Sequence, residues 1–247
     1  MKRRLMDIDG FDTDEFMLEV QMGRIPGVSY IWKFGYSGTN TANVPNTIYD
    51  HNAGLYPYNL GYGVDAKAVD LVSTIPLSDD GILIAIQGLD ADGYEQSETM
   101  VIGGTSLNTY SRVFRMFNAN GTAISGEVDL NVTGTVDLVA HLDVSTQATL
   151  MAVYTIPKGC VGYMNKGITS VGSGKEAIVD YMVRPLNGIF SVGERIAIYQ
   201  AAVEATRPYL PIPELADIEV RCTPTQNNTA ISASFGLMLV DKDLFGL

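Results

Sequence analysis

The chain contains two histidines, His51 and His141, the residue type most often used as a general base or a metal ligand. His51 lies in the polar turn sequence Asp50-His-Asn-Ala-Gly54, and His141 lies in an apolar strand pattern. No motif marks a nucleophile for either, because Thr39 follows Tyr36-Ser37-Gly38 where a nucleophile elbow requires glycine. We therefore predict a turn histidine and a partly buried strand histidine, with no catalytic or metal-binding role.

Other motifs that could bind phosphate or metal ions are incomplete. Gly172-Ser-Gly-Lys175 lacks the rest of a phosphate-binding loop, because Thr169 replaces the first glycine and Glu176 replaces the final Ser or Thr. The loop that holds Asp90 and Asp92 lacks the full pattern of a calcium-binding EF-hand. An acidic run near the N-terminus is typical of a solvated segment: Asp7, Asp9, Asp12, Asp14 and Glu15. The sequence therefore predicts no catalytic residue, no metal site and no cofactor.

The charge balance excludes a nucleic-acid-binding protein. The 247 residues include 16 basic and 28 acidic side chains, for a formal net charge of −12, and only 18% of the residues are charged. Phosphate neutralisation requires clustered Lys and Arg, which this chain lacks. Two cysteines, Cys160 and Cys222, are too few for a disulfide framework or a zinc knuckle.

Targeting and membrane segments are not expected from the sequence. No apolar segment follows Lys2-Arg3-Arg4, so the sequence does not predict a signal peptide. The densest apolar runs, such as residues 82–86, have the length of a strand, far below the roughly 20 residues of a membrane helix. We expect synthesis in a reducing cytoplasm and no membrane partner.

The elements that must position any site are β-strands. Alternation of apolar and polar residues runs through most of the chain, as in Val128-Asp-Leu-Asn-Val132 and in residues 231–239. Helical periodicity is limited to Phe16–Gln21 and Ala201–Thr206. About eleven short strands separated by Gly, Asn and Pro turns predict an all-β fold, an antiparallel β-sandwich that is jelly-roll-like. The alternation leaves the strand order open.

Aromatic residues are concentrated between positions 30 and 62, which hold 8 of the 22 in the chain. We predict that residues 1–64 form an extended aromatic-rich N-terminal arm and that residues 65–247 form the β-sandwich domain. Tyr and Trp are favoured anchors at protein interfaces, although an edge strand packed on its own core would produce the same pattern. The predicted interface residues are Tyr30, Trp32, Phe34, Tyr36, Tyr49, Tyr56 and Tyr58.

Several stretches of the chain carry a resemblance to a known family. They are residues 22–35 (MGRIPGVSYIWKFG), 47–57 (TIYDHNAGLYP), 86–90 with 97–99, 110–117, 150–157 (LMAVYTIP), 183–185 and 210–221 (LPIPELADIEVR). In these the chain resembles virion structural proteins of tailed phages, especially those of marine and cyanobacterial-host phages. It departs from the family wording at Tyr49, where the family has Trp before Asp-His, and by the insertion of Asn52 and Ala53.

The resemblance implies a non-enzymatic jelly-roll or sandwich protein of the phage particle. The role it favours is capsid decoration, a cement that binds the major capsid protein at the capsid surface, after synthesis in the cytoplasm of the bacterial host. It also implies a homo-oligomer, of which a trimer at a three-fold position is the simplest form. Two alternatives remain open at this point: a tail or tail-adaptor protein, and a carbohydrate-binding β-sandwich module whose exposed rings stack on sugars.

Overall fold

The computed structural model describes residues 13–51, 54–199, 202–206 and 211–246, without the side chains of 13–15 and 202–206. The described chain is almost entirely β, and every strand pairing in it is antiparallel, which confirms the predicted fold class. The strands are β1 (Val28–Asn40), β2 (Asn46–Thr47), β3 (Val69–Ser73), β4 (Leu83–Leu89), β5 (Glu95–Val101), β6 (Arg112–Asn118), β7 (Val128–Val132), β8 (Leu138–Leu142), β9 (Val153–Thr155), β10 (Cys160–Val171), β11 (Glu176–Arg184), β12 (Ser191–Tyr199), β13 (Ala202–Thr206), β14 (Pro211–Ile212), β15 (Asp217–Pro224) and β16 (Thr229–Asp241).

Two five-stranded sheets form what we call the terminal sandwich, because it contains strands from both ends of the chain. One sheet has the order β1-β16-β10-β13, with β14 also paired to β10. The other has the order β12-β11-β15-β2, with β9 also paired to β15. Alternate residues of the two sheets meet in one apolar core, with Phe235, Tyr181 and Val220 fully buried. This alternation follows from the period of two along each strand.

A second, smaller sandwich lies between β2 and β9 in the sequence, and we call it the inserted sandwich. It consists of two three-stranded sheets, β3-β7-β8 and β5-β4-β6. Leu71, Ile86, Met116 and Leu130 are fully buried in its separate core. The chain therefore builds two cores, whereas the sequence predicted one sandwich over residues 65–247.

The predicted N-terminal arm differs from the structure, because β1 is an integral strand of the terminal sandwich. It pairs with β16 at eleven register positions, from Val28 opposite Val240 to Asn40 opposite Thr229. Gly35 on this strand packs against the carbonyl of Ile48 and the amide of Ala152, where there is no room for a Cβ atom. Residues 1–12 of the predicted arm lie outside the described part of the chain.

Two helices belong to the described chain, α1 (Thr13–Gln21) and α2 (Lys242–Phe245), together with a short 3-10 turn at Gly63–Asp65. Val20 of α1 packs with Val28, Met238 and Val240 at one end of the sheet that contains β1. The helical pattern at Phe16–Gln21 is thus confirmed, whereas residues 202–206 form β13, because they pair with β10. Neither helix has the length and hydropathy needed to cross a bilayer.

A buried ion-pair cluster joins the two sandwiches. Arg112 of β6 donates to both carboxylate oxygens of Asp217 of β15, over 2.8 and 3.2 Å, and both side chains are almost completely buried. Arg184 donates to the same carboxylate over 2.5 and 2.9 Å, and Thr155 donates to it over 2.7 Å. Arg112 belongs to the inserted sandwich, whereas Asp217 and its other two donors belong to the terminal one. The shared carboxylate therefore fixes the two sandwiches against each other.

Candidate functional site

Three large aromatic side chains are exposed in a row along β1, and we call Trp32, Phe34 and Tyr36 the aromatic row. Their exposed fractions are 45%, 43% and 39%. Alternate residues of a strand point to the same face, so the three rings share the outer face of the sheet. The β16 residues directly opposite them are small: Gly236, Ser234 and Ser232.

Tyr30 lies on the same face but at its covered end. Its hydroxyl donates to the Asn165 side chain over 3.4 Å, and its ring lies across Gly236. It also packs against the cluster of Val28 and Met238 that α1 covers. Tyr30 therefore lies in line with the aromatic row, but its side chain contacts other residues of the same chain.

The other predicted interface residues lie in the interior, which corrects the sequence-based interpretation. Tyr49 and Tyr56 are only 3% and 4% exposed and belong to the core of the inserted sandwich. The Tyr56 hydroxyl donates to the carbonyl of Val113 over 2.9 Å. The Tyr58 ring lies 4.7 Å from that of Tyr56 and 4.3 Å from the guanidinium of Arg184. These three rings stabilise the junction between the sandwiches, because the chain's own residues enclose them.

An open cleft of about 680 Å³ lies beside the aromatic row, between β1 and the sheet β5-β4-β6. The backbone N–H of Tyr36 donates to the carbonyl of Leu150 over 3.2 Å. This N–H therefore points to the cleft side of β1, away from β16. In an antiparallel pair this direction repeats at every second residue, which turns the backbone groups of Trp32 and Phe34 toward the cleft. The opposite wall is polar and includes Gln87, Glu95, Gln96, Ser97 and Arg115.

The floor of the cleft contains a buried amine. Lys33 lies between Trp32 and Phe34 in sequence but on the opposite face of β1, and its Nζ donates to the carbonyl of Phe114. Burial, together with the charge of Arg115, lowers the pKa of Lys33 to about 7. The cleft floor therefore changes its charge close to neutral pH.

The two histidines of the chain meet at a second polar site, which the sequence analysis missed. Their ring centroids are 5.4 Å apart, and His141 Nδ1 lies 2.7 Å from Oδ1 of Asp129. His51, Asp129 and His141 each offer a ligand atom, and the three atoms lie within 4.8 Å of one another. The pairing of β7 with β8 places Asp129 directly opposite His141. The alternating patterns of the two strands predicted each strand, but no local signal brings His51 to Asp129 and His141, which lie 78 and 90 residues further along the chain.

The histidines differ in their electrostatic surroundings. Burial and the neighbouring His141 lower the pKa of His51. Burial acts in the same direction on His141, but the hydrogen bond and the charge of Asp129 outweigh it, so the pKa of His141 is raised. As pH rises, His51 therefore loses its proton before His141.

Comparison with known proteins gives no family assignment. The chain matches no protein-family profile and no curated protein. Two solved structures from infectious bursal disease virus are similar over most of the chain. For its Gx strain the TM-score is 0.27 at 10% identity, over 87% of this chain and 72% of that one. For its T13 viral particle the TM-score is 0.26 at 9% identity, over 93% and 76%. Scores this low leave the role of the chain to be argued from its own residues.

Proposed function

We propose that this chain is a non-enzymatic structural protein of a virus particle, a capsid decoration or cement protein that binds the major capsid protein at the particle surface. The observation that carries the proposal is the aromatic row, three exposed rings on a strand that is paired along its length with β16. Large exposed apolar surfaces on folded proteins mark interaction sites, and Trp and Tyr are enriched among the residues that dominate binding. The resemblance of the chain to phage virion proteins gives the partner.

The surroundings of the row suit a protein partner. The backbone groups of Trp32 and Phe34 that face the cleft can pair with an extended segment of a capsid protein, which would add a strand to β1. The polar wall of the cleft, with Gln87, Gln96 and Arg115, can hydrogen-bond the far edge of that segment. The rings would supply apolar contacts, and the hydrogen bonds to β1 would fix the register of the capsid segment.

The rigidity of β1 favours tight binding. Because eleven register positions hold β1 against β16, the rings are ordered before the partner arrives and little conformational entropy is lost on binding. A symmetric oligomer, a trimer in the simplest case, would present several identical rows to the capsid lattice. Multivalent contact of this kind strengthens attachment without any new type of contact.

The copy number of the chain in purified particles of the virus that encodes it tests this proposal. Quantitative mass spectrometry against the major capsid protein is expected to give about one copy per capsid subunit, or one trimer per three-fold position. A handful of copies per particle would assign the chain to a tail or tail adaptor. Absence from the particle would contradict a virion role and favour the carbohydrate-binding alternative, which a glycan array would then test.

A further inference from the structure

We propose that His51, Asp129 and His141 bind one divalent transition-metal ion, of which Zn²⁺ is the best match. The proposal is independent of the capsid role. Zn–N and Zn–O bonds are about 2.0–2.2 Å long, so two ligand atoms around one ion lie no more than about 4 Å apart. The three ligand atoms, which lie within 4.8 Å of one another, come into this range through small side-chain rotations.

The three ligands come from two rigid parts of the fold. Asp129 and His141 are cross-strand neighbours on β7 and β8, and the strand pairing fixes their spacing. His51 lies two residues after Tyr49, which is buried and forms a backbone bridge with Met151. The Tyr49 ring contacts the His51 imidazole at a centroid distance of 5.9 Å. The site is thus positioned by packing rather than by a loop alone, as a metal site requires.

One contact must change when the ion binds. The 2.7 Å hydrogen bond between His141 Nδ1 and Asp129 Oδ1 must lengthen by about 0.6 Å to reach the spacing of roughly 3.3 Å between tetrahedral zinc ligands. A change of this size needs only side-chain torsion, because the Asp129 side chain is 34% exposed. The ion takes the place of the proton between His141 Nδ1 and Asp129 Oδ1, so this hydrogen bond is lost when the ion binds.

The donor set selects the class of metal. Two imidazole nitrogens and one carboxylate suit Zn²⁺, Ni²⁺ and Co²⁺, whereas Ca²⁺ and Mg²⁺ prefer oxygen ligands alone. Glu127 and Asp143 form a second group with His141, again with ligand atoms within 4.8 Å. Water would complete the coordination of an ion held by His51, Asp129 and His141.

Isothermal titration calorimetry on the full chain, after treatment with EDTA, tests the proposal. ZnCl₂ is expected to bind at one equivalent per chain, and CaCl₂ to bind far more weakly. His51→Asn is expected to weaken Zn²⁺ binding at least about tenfold, because even changes to residues that only support a metal ligand cost about 10–100-fold in affinity. Asp137→Asn, an exposed carboxylate at the other end of the β7–β8 hairpin, is the matched control and is expected to bind as the parent chain does.

The outcome that overturns the proposal is the absence of saturable binding of Zn²⁺, Ni²⁺ and Co²⁺, or unchanged Zn²⁺ affinity in His51→Asn. A second measurement needs no variant and keeps the test decisive if substitutions at the buried His141 prevent folding. The chain has only two histidines, so a ¹⁵N spectrum of the imidazoles contains two ring systems. One equivalent of Zn²⁺ is expected to shift both, and binding that shifts neither would place the ion elsewhere and contradict the site.

Discussion

The two faces of β1 invert the usual distribution of side chains. The outer face exposes Trp32, Phe34 and Tyr36, while the inner face buries Lys33 and Ser37. An alternating strand normally turns its apolar residues to the core. At Gly35 the inner face lies against the backbone of Ile48 and Ala152, which leaves no room for a side chain there. The comparison shows that the large rings of β1 lie on its outer face, whereas the inner face is closely packed at Gly35 and buries polar side chains at Lys33 and Ser37.

The largest effect is expected from filling the inner face. Gly35→Val would place side-chain atoms against the Ile48 carbonyl and the Ala152 amide, which are hydrogen-bonded to each other over 2.9 Å. We expect the free energy of unfolding in urea to fall by about 3 kcal/mol or more. Gly38→Val is the matched control on the same strand, because its Cβ would meet only the Tyr36 ring at 3.4 Å. Equal losses in the two variants would mean that the inner face is not tightly packed.

The second effect concerns Lys33 and depends on pH. Burial lowers the pKa of Lys33 to about 7 in the folded chain, against about 10.4 in an unfolded one. Between these values the unfolded chain binds one more proton, so stability rises with pH, with a slope of up to about 1.4 kcal/mol per pH unit. Below pH 7 both states are protonated and this contribution is constant.

Lys33→Met is expected to abolish that rise in urea unfolding curves measured between pH 6.5 and 9. Lys175→Met is the control, since Lys175 also donates to a backbone carbonyl, that of Asn227, but in an exposed turn. The parent chain and the Lys175 variant are expected to gain stability over this range. A parent chain whose stability is flat or falls over this range would show that Lys33 remains charged in the fold.

A smaller effect is expected at an interior tyrosine. Tyr56→Phe removes the hydroxyl that donates to the Val113 carbonyl and leaves that acceptor without its partner in the core. The expected loss in the free energy of unfolding is about 1–2 kcal/mol. The measurement is thermal or urea unfolding of the full chain. No loss would indicate that water or another donor replaces the hydroxyl and that the Tyr56 side chain is less enclosed than the structure has it.

The smallest effect on stability is expected on the outer face. Trp32→Ser removes a ring that is 45% exposed and faces Gly236, so the free energy of unfolding is expected to change by less than about 1 kcal/mol. A much larger loss would mean that the aromatic row supports the fold of the chain itself, and the contrast between the two faces of β1 would disappear.

The sequence predicted local structure well and long-range arrangement poorly. Alternation located the strands, and the pattern at residues 231–239 correctly placed one face of β16 in a core. The pairing of β1 with β16 joins segments some 200 residues apart, and no local periodicity encodes it. For the same reason one predicted sandwich became two, because alternation shows that a face is buried but not which sheet covers it.

The candidate sites show the same limit. The alternation of Trp32, Phe34 and Tyr36 within one strand accounts for their common exposed face, and their role as an interface stays a prediction. Tyr56 was assigned to the same surface on composition alone, although its hydroxyl has an interior acceptor in Val113 that only the fold reveals. The approach of His51 to Asp129 and His141 likewise depends on how the turn after β2 meets the inserted sandwich.

The central claim is that the aromatic row binds a capsid protein, and cosedimentation with particles that lack this chain tests it most directly. The recombinant full chain is expected to bind, and Trp32→Ser is expected to bind about 30-fold more weakly, the loss of roughly 2 kcal/mol typical of an interface anchor. Tyr199→Ser, an exposed ring on β12 in the other sheet of the terminal sandwich, is the control and is expected to bind normally. Unchanged binding by a folded Trp32→Ser variant would contradict the account.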